Sequence, residues 1–555
     1  MIRPLLDVSG LRVSFGRGTD RLEVIHGISF SIDAGETVAI VGESGSGKSV
    51  TARTLVGLTG PGSTVSADAL RLDDHELLSA STRDWRRIRG GEIGFVLQDA
   101  LVSLDPLRTI GREIEEPLRE HFSWDREHRR AEVLELLRDV GVPEPELRSR
   151  QHPHELSGGL RQRALIASAI AARPPFLILD EATTALDVTV QAQILRLLER
   201  FKEQGRTLLL ITHDLAVVSQ IADRVIVMKD GSTVETGTTA DVFDRAEHPY
   251  TRRLIAAIPS NRPRRAATVI ERPASDHDAD PVPPTADPVA EVRHISRTFH
   301  LPGGAELRAL DDVSFALHPG RTLGLVGESG SGKTTAGRIL LGQERADEGE
   351  VRVTGTRWAD VQGRDRAALR RRIQAVYQDP LSSFDPRHSV QQILNEAVRV
   401  LDRHDRTARR ARVRELLDHV ELSTRLLDRR PLQLSGGQRQ RVAIARALAL
   451  EPTIIVGDEP VSALDVSIQA QILDLLVRIQ QETHVALLLI SHDLGVVNAI
   501  SDEVLVLKNG TVIEHDSVSN VFDRPQAEYT RELLAAIPRI RNAPSTTSPT
   551  IESLA

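Results

Sequence analysis

Two glycine-rich segments carry residue types suited to binding phosphate. They read GESGSGKS over residues 42–49 and GESGSGKT over 327–334, and both fit the pattern G-x-x-x-x-G-K-[ST]. Glycines let consecutive N–H groups face an anion, Lys48 supplies a compact charge for the β- and γ-phosphates, and Ser49 supplies a hydroxyl ligand for Mg²⁺. The pattern predicts two nucleotide-binding loops, against the alternative of plain glycine-rich turns. The residues expected at the phosphates are Gly42, Ser44, Gly45, Ser46, Gly47, Lys48, Ser49, Gly327, Ser329, Gly330, Ser331, Gly332, Lys333 and Thr334.

Acidic pairs follow two short apolar runs. One run ends in Asp180 and Glu181, and the other ends in Asp458 and Glu459. Successive side chains at a strand end diverge, so the aspartate can serve Mg²⁺ while the glutamate meets the attacking water as a general base. The alternative is a pair of solvated acids at the start of a loop. Together with the hydroxyls of Ser49 and Thr334, the two aspartates are the expected metal ligands.

Four motifs occur twice in the same order, and the separation between the two copies is nearly constant. The corresponding residues are Gly42 and Gly327 of the phosphate loops, Ser157 and Ser435 of two LSGG segments, Asp180 and Asp458, and His213 and His492 of two HDL segments. This match indicates a tandem duplication. We predict domains over 1–259 and 291–539, joined by a flexible linker over 260–290 that is rich in Pro, Ala and Asp. A disordered tail is predicted over 540–555.

Strand and helix patterns alternate around these motifs. TVAIVG (37–42) predicts a buried strand that runs into the first loop, and a helix is expected from Lys48 onward. The apolar runs at 176–180 and 208–212 are typical of strands buried on both faces. Alternating residues within 11–32 predict short antiparallel strands. The alternation of strands and helices indicates an α/β fold with a mainly parallel core sheet.

The segments LSGGLRQR and LSGGQRQR narrow the class of nucleotide-binding protein to which the chain can belong. With them, both halves of the chain resemble the ATP-binding cassette (ABC) superfamily, whose signature is LSGGQ. The resemblance implies two P-loop NTPase domains of the ABC type, each with a parallel core sheet, an antiparallel β subdomain and a helical subdomain. It also implies that the two cassettes pair within the chain, with each ATP held by one phosphate loop and the other signature. Lys48 would then work with Ser435, Gly436, Gly437 and Gln438, and Lys333 with Ser157, Gly158 and Gly159.

The first signature departs from the family pattern at one position, where Leu160 stands in place of the glutamine kept as Gln438. A serine and two glycines before a helix form a phosphate-binding corner, although such a turn also serves simply to cap a helix. Those residues remain in both copies, so the site containing Lys333 is expected to be slightly atypical but intact. Because Glu181 and Glu459 are both present, we predict that both sites hydrolyse ATP.

Four further pairs carry over from the family by position. They match the Q-loop glutamine that reaches Mg²⁺ or the attacking water, the D-loop aspartate that communicates across the cassette pair, the switch histidine that contacts the γ-phosphate, and the aromatic residue that stacks on adenine. The pairs are, in that order, Gln98 and Gln378, Asp187 and Asp465, His213 and His492, and Phe15 and Phe299. The alternatives are a structural role for the histidines and core packing for the phenylalanines.

Two other motifs, each present in two copies, resemble those of a narrower group, the oligopeptide, dipeptide and nickel importer ATPases. QDALVSLDP and QDPLSSFDP match its Q-loop region, and HPYTRRLIAAIP and the degraded AEYTRELLAAIP match its C-terminal motif. The resemblance implies an ATPase on the cytoplasmic face of the membrane, bound peripherally to two permease subunits and supplied by an extracytoplasmic solute-binding protein. The permease helices are expected to dock near Gln98 and Gln378.

Alternatives to peptide import stay open. The nearest are an importer of another solute, such as nickel or glutathione, and a fused sugar-importer ATPase, in which one cassette is usually degenerate. The other is a soluble twin-cassette ATPase acting in translation or on DNA. The proline-rich linker and a net charge of −8 disfavour a nucleic-acid partner.

Composition sets further limits. The chain has 555 residues and no cysteine, which excludes disulfides, thiolate zinc sites and the cysteine-held iron–sulfur cluster of many relatives. No apolar run approaches the ~18 residues of a membrane span, and the N-terminus lacks a signal-peptide core, so we expect a cytosolic chain. The expected cofactors are therefore ATP and Mg²⁺ alone.

Lysine is rare in this chain, with only five among 70 basic residues. Two of the five, Lys48 and Lys333, are the phosphate-loop lysines, where arginine's wide planar group does not fit. Lys229 and Lys508 occupy equivalent positions in the two halves, and the sequence assigns them no chemical role. Lys202 has no equivalent and is interpreted as a surface residue.

Overall fold

The computed structural model describes residues 3–16, 21–97, 103–183, 187–258, 287–300, 306–401, 405–462 and 464–537. The chain forms two compact units, one from each half of the sequence. In the described ranges, no helix combines the length and the apolar character that a membrane crossing requires. The linker predicted over 260–290 lies outside these ranges up to residue 286, and so does the predicted tail, so the domain boundaries stay a prediction.

The first unit contains strands that form two sheets and helices that cover them. The strands are β1 (Leu6–Phe15), β2 (Leu22–Ile32), β3 (Thr37–Val41), β4 (Ser63–Ser66), β5 (Ala69–Leu72), β6 (His75–Glu76), β7 (Ile93–Val96), β8 (Phe176–Asp180), β9 (Thr207–Ile211), β10 (Arg224–Lys229) and β11 (Ser232–Thr238). The helices are α1 (Lys48–Leu55), α2 (Thr82–Gly91), α3 (Ile110–His121), α4 (Arg126–Asp139), α5 (Pro145–Arg148), α6 (Gly158–Ile170), α7 (Val188–Glu203), α8 (Leu215–Ile221), α9 (Thr239–Asp244) and α10 (Pro249–Ala256).

The core sheet of the first unit has the strand order β11–β10–β3–β9–β8–β7, and it is parallel except for the hairpin of β10 and β11. β3, β8 and β9 are apolar runs that are buried along their whole length, as expected for strands covered on both faces. The carboxyl ends of neighbouring parallel strands meet at one edge, which is where such sheets bind ligands. The first phosphate loop follows β3, Asp180 is the last residue of β8, and the segment bearing His213 follows β9.

Two further layers complete the first unit. An antiparallel sheet has the order β2–β1–β5–β6, with β4 paired to β1, and its inner face alternates apolar residues in the pattern of a half-buried strand. The second layer is a group of helices, in which α6 packs against α3 and α4 and also against β7 of the core sheet. In α3 the buried residues Ile110, Ile114 and Leu118 recur every four positions, which gives the helix one apolar stripe.

The second unit repeats this arrangement. Its strands are β12 (Ala290–His300), β13 (Glu306–Leu317), β14 (Thr322–Val326), β15 (Glu348–Val353), β16 (Thr356–Arg357), β17 (Ile373–Tyr377), β18 (Ile454–Asp458), β19 (Ala486–Ile490), β20 (Glu503–Lys508) and β21 (Thr511–Ser517). Its helices are α11 (Lys333–Leu340), α12 (Gly363–Arg372), α13 (Val390–Val398), α14 (Arg406–His419), α15 (Gly436–Leu448), α16 (Val466–Thr483), α17 (Leu494–Ile500), α18 (Val518–Asp523) and α19 (Glu528–Ala535). The sheets have the orders β13–β12–β15–β16 and β17–β18–β19–β14–β20–β21.

Each face of the second core sheet lies in a separate hydrophobic cluster. In β20, Leu505 and Leu507 pack toward the antiparallel sheet, whereas Val504 and Val506 pack toward the helices. This division follows from the two-residue period of a strand, which sends successive side chains to opposite faces. A strand buried on both faces must be apolar throughout, and this is the pattern that the sequence shows.

The predicted fold class is confirmed. The fold is α/β, and each unit combines a mainly parallel core sheet with an antiparallel sheet and a group of helices. The predicted antiparallel strands within 11–32 are parts of β1 and β2, which pair antiparallel. The buried strands at 37–42, 176–180 and 208–212 match β3, β8 and β9 to within one residue.

Candidate active site

Each phosphate loop connects a buried strand to a helix, β3 to α1 and β14 to α11. Gly42 opens the first loop with φ of +152°, and a Cβ built there would lie 2.2 Å from the backbone oxygen of Met228. Gly327 repeats this contact in the second loop, at 2.2 Å from the oxygen of Leu507. A side chain at either position would displace the backbone of the adjacent strand, so only glycine allows the loop to turn there.

The loop lysines are buried and point into their own loops. Nζ of Lys48 donates to the backbone oxygens of Gly42 and Glu43, both at 2.8 Å. Nζ of Lys333 makes the equivalent bonds to Gly327 and Glu328, both at 2.7 Å. Burial lowers the pKa of Lys333. An anionic ligand offsets this desolvation, so the loop is suited to bind a phosphate.

A buried aspartate faces the hydroxyl at the start of each loop helix. Oδ1 of Asp180 accepts a hydrogen bond from Oγ of Ser49 at 2.8 Å, while Oδ2 is buried without a partner. In the second unit Asp458 accepts from Oγ1 of Thr334 at 3.3 Å. Burial is the main cause that raises the pKa of both carboxyls.

The donor set around these aspartates fits Mg²⁺. The magnesium ion takes oxygen ligands and is usually held by one or two carboxylates plus substrate phosphates, rather than by a cage made only of protein. An unpartnered buried carboxylate oxygen beside a hydroxyl meets that requirement at Asp180 and Ser49. The described ranges contain no cluster of three or more His, Asp or Glu that could hold a metal by itself.

The glutamates next in sequence turn away from the aspartates. Glu181 and Glu459 have φ of +50° and +51°, a left-handed conformation that costs a non-glycine residue free energy and recurs at functional sites. Their backbone N–H groups donate to Ile211 and Ile490 at 2.8 and 2.9 Å, which ties the turn to the neighbouring strand. The turn places the carboxylate beside a histidine.

In each unit this histidine lies just beyond the next strand. Nδ1 of His492 lies 2.9 Å from Oε1 of Glu459, and the matching distance from His213 to Glu181 is 3.4 Å. Burial disfavours both charges in the second pair, yet their mutual contact prevails, so the pKa of Glu459 is lowered and that of His492 is raised. The glutamate is thus held ionised and oriented, as a general base must be.

The signature serines begin α6 and α15. Oγ of Ser435 accepts from the backbone N–H of Gln438 at 3.2 Å, and the Gln438 side chain accepts from the backbone N–H of Ser435 at 3.1 Å. Ser157 accepts from the N–H of Leu160 at 3.4 Å, and the leucine side chain cannot complete the reciprocal bond. The departure at Leu160 therefore weakens a helix cap and leaves the serine hydroxyl and the glycines in place.

The remaining predicted residues are placed as follows. Gln98 lies outside the described residues, and Gln378 is exposed one residue beyond β17. Asp465 is the N-cap residue of α16, and Asp187 directly precedes α7. Phe15 and Phe299 are half-buried near the ends of β1 and β12, and the guanidinium of Arg297 lies 4.8 Å from the ring centre of Phe299. Their roles stay predictions.

Sequence reasoning missed one contact to the phosphate loops. The hydroxyls of Tyr250 and Tyr529, on α10 and α19, accept hydrogen bonds from the N–H groups of Glu43 and Glu328. A signal was present, because the tyrosines stand at equivalent places in the two C-terminal motifs. Within each unit the structure thus gathers a phosphate loop, a buried aspartate, a glutamate, a histidine and a tyrosine.

The fold and this site define a P-loop ATPase made of two similar cassettes. The chain belongs to the ABC transporter family, whose model matches residues 25–184 and 310–462. A second model, the C-terminal region of oligopeptide/dipeptide transporters, matches 234–281 and 513–553. The prediction of an ATP-hydrolysing ABC protein with two cassettes, related to importers of the oligopeptide/dipeptide type, is confirmed.

The chain is similar to known import ATP-binding proteins and to a solved ABC structure. The glutathione import ATP-binding protein GsiA of Shigella dysenteriae is 43% identical over 561 residues, which cover 96% of this chain and 89% of that protein. GsiA of Escherichia coli strain K12 is 42% identical over the same length. CbiO1 of Clostridium perfringens, part of an ABC transporter complex, is a solved structure with 28% identity and a TM-score of 0.39, covering 46% of this chain and 98% of that one.

Proposed function

We propose that this chain energises the import of glutathione or another small peptide through separate membrane permeases. The observation that carries the proposal is the 43% identity to a glutathione import ATP-binding protein along 96% of the chain. The C-terminal regions of both halves also match the oligopeptide/dipeptide transporter model. The chain would act as a peripheral subunit on the cytoplasmic face, with two permeases and an extracytoplasmic solute-binding protein as its partners.

Both halves contribute to hydrolysis in this proposal. On the family's pattern, each ATP is held by the phosphate loop of one cassette and the signature of the other. Bound Mg²⁺ would lie at Asp180 and Asp458 and neutralise charge on the phosphates. Glu181 and Glu459 accept a proton from the attacking water, and His213 and His492 orient it. That each half keeps its loop lysine, aspartate, glutamate and histidine supports two working sites.

A groove in the second unit supports permease docking near Gln378. Its volume is about 780 Å³, and its lining includes Tyr377, Phe384 and Arg446. Arg446 fixes the segment after the Q-loop, since it donates to the backbone oxygen of Ser383 at 2.7 Å and to its hydroxyl at 3.0 Å. A groove with apolar and charged walls suits the end of a helix from a membrane protein.

Uptake of labelled solute tests the proposal. Cells of the source organism that lack this chain are expected to lose uptake of glutathione or of a dipeptide, because permeases without their ATPase cannot complete a transport cycle. Expression of the wild-type chain restores uptake, whereas the K48R/K333R variant does not. Normal uptake of both solutes in the deletion strain would contradict the proposal, and co-sedimentation of the chain with ribosomes would favour the translation alternative.

A further inference from the structure

A buried tyrosine forms a hydrogen bond with the backbone of each phosphate loop. The hydroxyl of Tyr250 accepts from the backbone N–H of Glu43 at 3.0 Å, and that of Tyr529 accepts from Glu328 at 3.2 Å. The two partners of these bonds are 207 and 201 residues apart in sequence. Each loop is therefore fastened to a helix, α10 or α19, in the region that matches the oligopeptide/dipeptide transporter model.

The same loop residue also contacts the phosphate-loop lysine. The N–H of Glu43 donates to Tyr250, and its backbone oxygen accepts from Nζ of Lys48 at 2.8 Å. Glu328 joins Tyr529 to Lys333 in the same way. The N–H of Glu43 and the backbone oxygen of Gly42 belong to one planar peptide, and that oxygen also accepts from Nζ of Lys48 at 2.8 Å. The planar peptide thus links the tyrosine to the lysine ammonium group, so a shift of the tyrosine displaces the lysine.

The lysines without an assigned role lie over the tyrosine rings. Nζ of Lys229 is 5.4 Å from the ring centre of Tyr250, and Nζ of Lys508 is 4.2 Å from that of Tyr529. Both distances fall within the range of a cation–π interaction. The lysines end β10 and β20, the strands next to those that lead into the loops, so each ring is held between the core sheet and its own helix.

A carboxylate fixes the start of each tyrosine-bearing helix. Glu235 accepts from the backbone N–H groups of Glu247 and His248 at 2.8 and 3.2 Å. In the second unit Glu514 accepts from the two equivalent N–H groups, at 2.9 and 3.1 Å. Two charge-assisted hydrogen bonds set the direction in which the helix leaves the sheet.

The second C-terminal motif is degraded, so comparing the two copies shows which contacts are present in both. In the first copy, the side chain of His248 caps α10 by accepting from the N–H of Tyr250 at 3.1 Å. Ala527 stands at that place in the second copy and cannot form this cap. The lysine, the carboxylate and the tyrosine are kept at corresponding positions in both copies. The common element is therefore the contact to the phosphate loop.

We propose that Tyr250 and Tyr529 are positioning residues for the nucleotide sites, and that they couple the placement of the C-terminal helices to ATP affinity. The inference rests on the proposed binding of ATP at these loops. Each tyrosine hydroxyl bonds to the backbone of its phosphate loop. The tyrosines fix the N–H of Glu43 and of Glu328, and through the planar peptide that carries this N–H and the oxygen of the preceding glycine they fix the lysine.

Phenylalanine variants test this coupling, because phenylalanine keeps the ring and the lysine contact and removes only the hydroxyl. In the Y250F/Y529F variant the Kd and KM for ATP are expected to rise about 3- to 10-fold, with kcat changed less than about twofold. Without nucleotide, the amides of both phosphate loops are expected to exchange hydrogen faster. Lys229→Gln and Lys508→Gln keep the hydroxyl and are expected to raise Kd by about 2- to 5-fold.

The matched control replaces exposed arginines of the same helices, in Arg253→Gln and Arg531→Gln, and leaves Kd and loop exchange unchanged. Unchanged loop exchange and Kd in the tyrosine variants, with faster exchange confined to α10 and α19, would overturn the inference. If the wild type binds no ATP, the proposed function fails. Amide hydrogen exchange of the phosphate loops in the nucleotide-free protein still shows whether the tyrosines position those loops. The single variants decide the question if the double variant does not fold.

Discussion

The E181Q/E459Q variant is expected to bind ATP normally and to hydrolyse it about 10²- to 10⁴-fold more slowly than the wild type, the range attributed to a general base. Glutamine matches glutamate in shape and can keep a hydrogen bond to the neighbouring histidine. It cannot accept a proton from water at neutral pH. Because the loop lysines and the aspartates are unchanged, the loss falls on turnover, and ATP stays bound. Steady-state phosphate release and retention of labelled ATP on the protein measure the two effects.

The single variants show whether both sites work. Since both glutamates share the left-handed turn and the histidine contact, E181Q and E459Q are each expected to lower the ATPase rate to half or less. The matched control replaces Glu203 and Glu482, exposed residues that occupy equivalent positions at the ends of α7 and α16. E203Q and E482Q should keep the full rate. Full activity in E181Q or in E459Q would show that the altered site does not contribute.

The second large effect is expected from arginine at the loop lysines. Lys48 and Lys333 are only 4% and 6% exposed, and each ammonium bonds to two backbone oxygens of its loop. The guanidinium is wider and planar, so it cannot occupy the same ring of oxygens without displacing the loop. We expect the K48R/K333R variant to bind ATP at least about tenfold more weakly, as loss of a charge-assisted hydrogen bond implies. Equilibrium binding of a fluorescent ATP analogue measures the change.

Lys202→Arg is the matched control for this exchange. The interpretation of Lys202 as a surface residue is incomplete, since its side chain is 32% exposed and donates to the backbone oxygen of Ile221 and to Oδ1 of Asp223. Both acceptors are within reach of a guanidinium, so K202R should leave ATP binding and turnover unchanged. Wild-type affinity in K48R/K333R would contradict the assignment of the loops as the nucleotide sites.

Much of the fold was predictable because its signals are local. The apolar runs that form β3, β8 and β9 have the length and composition of strands buried on both faces, and the glycine pattern marks the turn that follows β3. The repeated spacing of motifs revealed the duplication without any structural information. Neighbouring carboxyl ends of parallel strands then brought the loop, the aspartate and the histidine to one edge.

Contacts between distant segments could not be predicted from the sequence. No local pattern indicates that Tyr250 reaches the N–H of Glu43, since 207 residues separate them. The sequence also gives no sign of the left-handed turn at Glu181, because this conformation is unfavourable for glutamate and only the surrounding structure imposes it. The reciprocal helix cap formed by Ser435 and Gln438 is likewise not indicated by the family resemblance, which marks Gln438 only as part of a signature.

The central claim is that one chain carries two complete ATP sites. Counting the ATP bound by the hydrolysis-deficient E181Q/E459Q variant tests it most directly, by equilibrium dialysis with labelled ATP and Mg²⁺ at saturation. We predict two ATP molecules per chain, and a Kd at least about tenfold higher when Lys48 and Lys333 are also replaced by arginine. A value of one per chain, or a Kd that those replacements leave unchanged, would contradict the claim.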